Sequence, residues 1–145
     1  MNRLLFLCTG NYYRSRFAEQ YFNHHCQRLA LPWRAYSKGL LRNMALSPNL
    51  GPLSAHTKTY LSELGITPGD SRWPESVELE DFDQYHRVIA ASRDEHYTMM
   101  QEHFGDLADC IDYFEVEDLH IESSESALPK LVIALDRLIE EIQGA

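Results

Sequence analysis

The stretch LLFLCTGNYYRSRFAEQYF, residues 4–22, contains the change of pattern that decides the fold prediction. Residues 3–7 are mostly apolar and predict a short buried strand, which ends just before Cys8. The polar residues that follow indicate a loop, and between residues 15 and 29 the apolar side chains recur at helical spacing. The stretch therefore predicts a strand, a tight loop and a helix, with Cys8 at the tip of the strand and Arg14 near the start of the helix.

This loop has the features of an anion-binding site. Gly10 lets the backbone turn tightly, and Asn11 tolerates left-handed backbone conformations. Successive backbone N–H groups can point inward, and the helix N-terminus adds unpaired N–H groups and the positive end of its dipole. The planar guanidinium of Arg14 can bind two oxygens of a phosphate. We therefore expect the loop to hold a tetrahedral oxyanion.

Cys8 lies at the base of this expected site. A cysteine after an apolar strand can simply be a small buried hydrophobic residue, but a positively charged concavity favours its thiolate form. A thiolate beneath a bound phosphate can attack phosphorus and form a phosphocysteine. Ser15 could donate a hydrogen bond to that thiolate or help to start the helix. The pattern thus favours Cys8 as nucleophile and Arg14 as the phosphate clamp.

Outward from this stretch, strand-like and helix-like segments alternate along the chain. Alternation of this kind predicts an α/β fold: a four-stranded parallel sheet with helices on both faces and the phosphate-binding loop at the first βα turn. Ligands in such sheets bind at the carboxyl ends of the strands, where Cys8 is expected. Strands are predicted at residues 3–7, 33–37, 87–91 and 109–114, and helices at 15–29, 54–64, 93–104 and 127–142, with Pro129 in the first turn of the last helix.

Composition narrows the class of protein further. A length of 145 residues suits a single domain, 1–145, and a net charge of -9 argues against nucleic-acid binding. No apolar run approaches the ~20 residues that cross a bilayer, and the opening residues do not resemble a signal peptide, so we expect a cytoplasmic protein. The three widely spaced cysteines, Cys8, Cys26 and Cys110, match neither a disulfide framework nor a metal site, and we expect no metal or cofactor.

Residues 8–15, CTGNYYRS, resemble the active-site loop of the low-molecular-weight protein-tyrosine phosphatases, a family shared with some arsenate reductases. That loop reads Cys-x-Gly-Asn-x-x-Arg-Ser directly after the first strand, and RFAEQYF is similar to the family's first helix. More weakly, AYSKG at 35–39 resembles its second strand, and residues 79–96 resemble its third strand with the following helix. The resemblance implies that Ser37 braces Asn11. The residues that it places around the substrate are Thr9, Gly10, Asn11, Tyr12, Tyr13, Ser15 and Ser37.

The chain departs from the family pattern inside and beside the loop. Tyr13 stands where the family often has a second cysteine, so a protective disulfide between neighbouring cysteines is impossible for Cys8. Arg16 stands where the family usually has proline. The aromatic residues that flank the substrate ring in the family are also missing, and Tyr12 and Tyr13 could replace them in part.

The general acid departs from the family pattern, because the family's Asp-Pro-Tyr sequence before the last helix is absent. Such an acid is needed to protonate the tyrosyl oxygen as the P–O bond breaks, and it contributes about 10²–10⁴-fold in rate. Asp118, in EVEDLH at 115–120, is the best match by position. The alternatives are Glu117, Asp112 and His120.

These features predict a phosphatase that hydrolyses phosphotyrosine or similar aryl phosphates through a phosphocysteine, with Cys8, Arg14 and Asp118 as the catalytic residues. Its expected partner is a phosphorylated protein or a small aryl phosphate. Two alternatives remain open. Arsenate would fit the same loop, which suits an arsenate reductase, and the altered acid segment suits a phosphate- or phosphoprotein-binding module without turnover.

Overall fold

The computed structural model of the protein describes residues 1–119 and 121–145, and in these residues four strands form one parallel sheet. The strands are β1 (Asn2–Cys8), β2 (Trp33–Gly39), β3 (Arg87–Ala90) and β4 (Asp112–Tyr113). Their order across the sheet is β2-β1-β3-β4, so β1 is central and pairs with both β2 and β3. The loop that follows β1 therefore lies in the middle of the carboxyl edge, where parallel sheets bind ligands.

Helices cover both faces of the sheet, as predicted. They are α1 (Arg14–Arg28), α2 (Ala55–Glu63), α3 (Arg93–Phe104) and α4 (Ser124–Gln143). Alternate residues of β1 enter two separate hydrophobic clusters. Leu4 and Phe6 pack with α1 and α4, whereas Leu5 and Leu7 pack with Met100 of α3. Because both faces of β1 are buried, its sequence is apolar almost throughout.

Two elements, β4 and α4, begin three residues away from the predicted position, whereas the other boundaries agree within two residues. β4 contains only two residues, because residues 105–109 form a 3-10 helix and only Asp112 and Tyr113 pair with β3. α4 begins at Ser124, so Pro129 is its sixth residue and not part of its first turn. The prediction began at residue 127 because the apolar periodicity begins there, whereas the first helical turn is polar.

The longer connections between helices and strands contain little regular secondary structure. Short 3-10 helices occur at Met44–Leu46 and Leu79–Asp83, in segments where neither a strand nor a helix was predicted. Among the described residues, no helix has both the length and the apolar character needed to cross a membrane.

Candidate active site

The loop formed by residues 8–15 joins the end of β1 to the start of α1. Cys8 is the last residue of β1 and is 2% exposed. Its Sγ lies 3.0 Å from Ser15 Oγ, at hydrogen-bond distance. Asn11 Nδ2 donates to the same Ser15 oxygen at 3.0 Å, which leaves the Ser15 hydroxyl hydrogen available to point toward the Cys8 sulfur. This arrangement lets the Ser15 hydroxyl donate a hydrogen bond to the Cys8 sulfur at the base of the loop.

Asn11 is the residue that sets the shape of the loop. Its φ of 49° places it in the left-handed region, which asparagine tolerates better than most residues. Its Nδ2 donates to Ser37 Oγ at 2.9 Å, and its Oδ1 accepts from the backbone N–H of Glu75 at 3.0 Å. The expected contact between Ser37 and Asn11 is thus present. Both side chains are fully buried, and their hydrogen bonds hold the loop in shape.

Two further polar residues, Glu19 and Arg72, hold Ser37 and, through it, Asn11 in place. Ser37 Oγ donates to Glu19 Oε1 at 2.6 Å, and Arg72 forms an ion pair with the same Glu19 oxygen. Arg72 also donates to Ser37 Oγ at 3.2 Å and stacks over the Tyr36 ring at 4.1 Å. The sequence analysis missed both charged residues. Arg72 lies in a segment predicted only as loop, and no local pattern connects it with a loop more than fifty residues earlier.

Arg14 is 1% exposed and is held by groups from two other parts of the chain, α3 and the segment after β4. Its Nη1 donates to the backbone carbonyl of Val116 at 2.9 Å and lies 2.7 Å from Glu95 Oε2. Its Nη2 lies 3.6 Å from Asp118 Oδ2. Burial opposes the charge of Arg14, but Cys8, Glu95 and Asp118 favour it, and its pKa is raised overall. The structure thus brings the three predicted catalytic residues to one place.

Glu95 and His96, at the start of α3, are further site residues that the sequence analysis missed. Thr9 Oγ1 donates to Glu95 Oε1 at 2.9 Å and lies 3.1 Å from His96 Nε2. His96 Nδ1 accepts from the backbone N–H of Ser92 at 3.0 Å, so its Nε2 carries the proton. Burial lowers the pKa of His96 to about 4, which keeps the ring neutral. The only signal in the sequence was that this helix follows a strand next to β1.

Glu95 remains a carboxylate in this environment. Burial raises its pKa, but hydrogen bonding and charge interaction with Arg14, together with His96 and Thr9, outweigh burial and lower the pKa overall. The side chain therefore places a permanent negative charge beside the Arg14 guanidinium.

The two tyrosines of the loop do not act as a pair around the substrate. The Tyr13 ring lies in the hydrophobic core and is 4% exposed, so the expectation that it flanks a substrate ring is wrong. Burial raises the pKa of Tyr13 to about 12. Tyr12 is partly exposed, and its hydroxyl donates to the backbone carbonyl of Leu50 at 2.5 Å. Only Tyr12 can present its ring at the surface of the loop.

The alternative acids differ in their distance from the loop. Asp112 forms an ion pair with Arg87. Arg87 is in register with Leu4 of β1, which is four residues before Cys8, so Asp112 lies away from the loop and is not a site residue. Glu117 accepts from Ser92 Oγ at 3.2 Å and lies next to Asp118 in the chain. His120 lies outside the described residues. Within the described residues, no group of three or more His, Cys, Asp or Glu side chains could hold a metal ion.

Comparisons with known proteins agree with this geometry. A family model described as low molecular weight phosphotyrosine protein phosphatase matches residues 3–123. The low molecular weight protein tyrosine phosphatase from T. tengcongensis is 28% identical, with a TM-score of 0.80 over 97% of this chain and 99% of that one. The YwlE arginine phosphatase from Geobacillus stearothermophilus is 26% identical, with a TM-score of 0.75 over 99% and 94%.

A further comparison shows similarity of fold only. YfkJ from Bacillus subtilis shares 22% identity and a TM-score of 0.83 over 99% of this chain and 96% of its own. Among curated protein sequences, none shows significant similarity to this chain.

Proposed function

This chain belongs to the low molecular weight phosphotyrosine protein phosphatase family, and we propose that it hydrolyses aryl phosphate monoesters, phosphotyrosine included, through a phosphocysteine. Membership confirms the resemblance seen in residues 8–15. The observation that carries the proposal is the convergence of Cys8, Arg14 and Asp118, with Asp118 Oδ2 only 3.6 Å from the guanidinium of Arg14. These are the three groups that the reaction needs: a nucleophile, an anion clamp and a proton donor.

In the first step, the Cys8 thiolate attacks phosphorus while the backbone N–H groups of the loop and Arg14 hold the phosphate oxygens. The S–P bond forms and the P–O bond to the aryl group breaks. Protonated Asp118 gives its proton to the leaving oxygen, so the product leaves as a phenol. Ser15, at 3.0 Å from Sγ, stabilises the thiolate before the attack and between turnovers.

In the second step, water replaces the cysteine. The Asp118 carboxylate takes a proton from the water as its oxygen attacks phosphorus, and the S–P bond breaks to return the Cys8 thiolate and release phosphate. Asp118 ends the cycle protonated, ready for the next substrate.

Hydrolysis of p-nitrophenyl phosphate by the wild type, Cys8→Ser and Asp118→Ala tests the proposal. We expect Cys8→Ser to have no measurable turnover and Asp118→Ala to lose about 10²–10⁴-fold in kcat. Asp112→Ala is the matched control, because that aspartate pairs with Arg87 away from the loop. Undiminished turnover in Cys8→Ser would exclude the covalent mechanism, and undiminished turnover in Asp118→Ala would assign the acid to another group.

A phosphorylated arginine side chain is a second candidate substrate, because the partly exposed carboxylate of Asp118 lies beside Arg14. Asp118 is one-third exposed there, Glu117 is its neighbour in the chain, and a guanidinium leaving group would be attracted to both. The similar protein from G. stearothermophilus is an arginine phosphatase. The ratio of kcat/KM for free phosphoarginine and for phosphotyrosine decides between them, and a ratio above one would favour the arginine substrate.

The two other sequence-based alternatives receive less support. Cys26 is buried in the core, and burial raises its pKa to about 11, which makes it a poor relay thiol for arsenate reduction. Cys110 precedes β4 and so lies at the amino edge of the sheet, opposite Cys8. A reductase that recruits an external thiol would consume arsenate in the presence of glutathione. A binding module would bind vanadate but would not hydrolyse p-nitrophenyl phosphate.

A further inference from the structure

A polar groove of about 550 Å³ lies behind the loop, between α1 and the segment 65–72. Three arginines line it, namely Arg16, Arg34 and Arg72, together with His24. Glu19 is the one carboxylate among the lining residues that the structure describes, and it is already engaged by Arg72 and Ser37. The groove is thus a local concentration of positive charge on a protein whose net charge is -9.

Arg16 is the most deeply buried of the three arginines. It is 2% exposed; its Nη1 donates to the backbone carbonyls of Pro52 and Arg72 at 3.0 and 2.9 Å, and its Nη2 donates to that of Gly69 at 3.4 Å. Its Nε has no hydrogen-bond partner among the described residues, and no carboxylate of those residues forms an ion pair with it. Burial and the neighbouring Arg72 lower the pKa of Arg16 and Glu19 compensates only in part, so an anion in the groove would stabilise its charge further.

The size and lining of the groove indicate the kind of anion. A volume of about 550 Å³ falls within the range of small-molecule sites and exceeds the needs of a free phosphate ion. The planar guanidinium groups suit phosphate oxygens, and the remaining walls are largely polar, with Gln27, Thr67 and Ser71 among them. A small polar molecule that carries a phosphate group fits both features.

We propose that this groove binds a small polar organic phosphate, such as a sugar phosphate, with its phosphate at the cluster of arginines. The inference goes beyond the proposed catalytic function and does not depend on it. Arg72 belongs to both regions, since it lines the groove and also donates to Ser37 Oγ, which holds Asn11. A ligand in the groove would therefore contact Arg72, one of the residues that hold the catalytic loop in place.

Titration of ribose 5-phosphate into ¹⁵N-labelled protein, with the catalytic loop saturated by vanadate, tests the proposal without measuring activity. We expect the backbone amide signals of Thr67, Gly69 and Ser71 to shift with saturation. Arg34 is exposed and takes no part in the catalytic loop, so Arg34→Gln should fold normally and bind about tenfold more weakly. Arg137→Gln, the same charge change on exposed α4, is the control and should bind like the wild type.

Several results would overturn the proposal. Absence of shifts at the groove amides would exclude the site, and equal affinity in wild type and Arg34→Gln would show non-specific attraction. Inorganic phosphate binding as tightly as ribose 5-phosphate would show that the groove holds an ion and not an organic ligand. A shift of the Asn11 side-chain amide together with the groove signals would support the link to the loop, and a stationary Asn11 signal would exclude that link.

Discussion

Arg14 lies between two carboxylates that we expect to behave differently when phosphate arrives. Glu95 is anchored at 2.7 Å from Arg14 and accepts a hydrogen bond from Thr9, whereas Asp118 lies at 3.6 Å and is one-third exposed. A phosphate dianion in the loop would compete with Asp118 for Arg14 and would leave Glu95 in place. Glu95 therefore both orients Arg14 and repels the bound anion.

Glu95→Gln separates these two effects. Glutamine keeps an acceptor for Thr9 but removes the negative charge, so we expect inorganic phosphate to inhibit about tenfold more tightly. We also expect kcat to fall, because Arg14 loses an orienting ion pair. Competitive inhibition of p-nitrophenyl phosphate hydrolysis measures both values.

Glu102→Gln serves as the control for this substitution, because it makes the same charge change on an exposed part of α3. If phosphate binds more weakly to Glu95→Gln than to this control, Glu95 acts chiefly as a scaffold for Arg14.

At the scale of elements, one buried polar cluster ties α1, β2 and the segment around Arg72 to the catalytic loop. Glu19 comes from α1, Ser37 from β2 and Asn11 from the loop itself. Because Asn11 has a left-handed backbone, its conformation depends on this outside support. The cluster thus lets three separate elements fix the geometry of one loop.

Glu19→Gln tests the importance of this cluster. The change removes one of the two carboxylates that pair with Arg72 and leaves only Glu75, and we expect about 1–3 kcal/mol less unfolding free energy in urea. We also expect weaker inhibition by inorganic phosphate, since Asn11 loses part of its support. For Glu95→Gln we expect the opposite effect, namely stronger inhibition by inorganic phosphate.

Glu140→Gln, an exposed change on α4, should leave both quantities unchanged. Tighter phosphate binding in Glu19→Gln would contradict a supporting role for the cluster.

At the scale of the whole molecule, the buried His96 links stability to pH. Burial lowers its pKa from 6.5 to about 4, although Glu95 and Asp118 act in the opposite direction and Arg14 reinforces the shift. As the pH falls, His96 is therefore protonated near pH 6.5 in the unfolded chain but only near pH 4 in the folded chain. The contribution of neutral His96 to the unfolding free energy is complete above pH 6.5. It is lost as the pH falls from 6.5 to 4, and the total loss is on the order of 3 kcal/mol.

His96→Asn removes this titration and retains an acceptor for the Ser92 N–H. We expect the unfolding free energy of the variant to decline less than that of the wild type between pH 6.5 and 4. Urea unfolding at several pH values measures the difference, and His103→Asn on exposed α3 should follow the wild type. Parallel pH profiles for His96→Asn and wild type would show that other groups cause the decline.

The sequence by itself determined the order and type of the strands and helices, and it placed Cys8, Arg14 and Ser15 around one loop. These features are local, because periodicity identifies an element and eight consecutive residues form the loop. Only the tertiary structure decided that Glu95, His96, Glu19 and Arg72 surround that loop and that the Tyr13 ring lies in the core. The physical reason is that these contacts join separate elements, whose approach depends on how side chains pack and not on the pattern within any one segment.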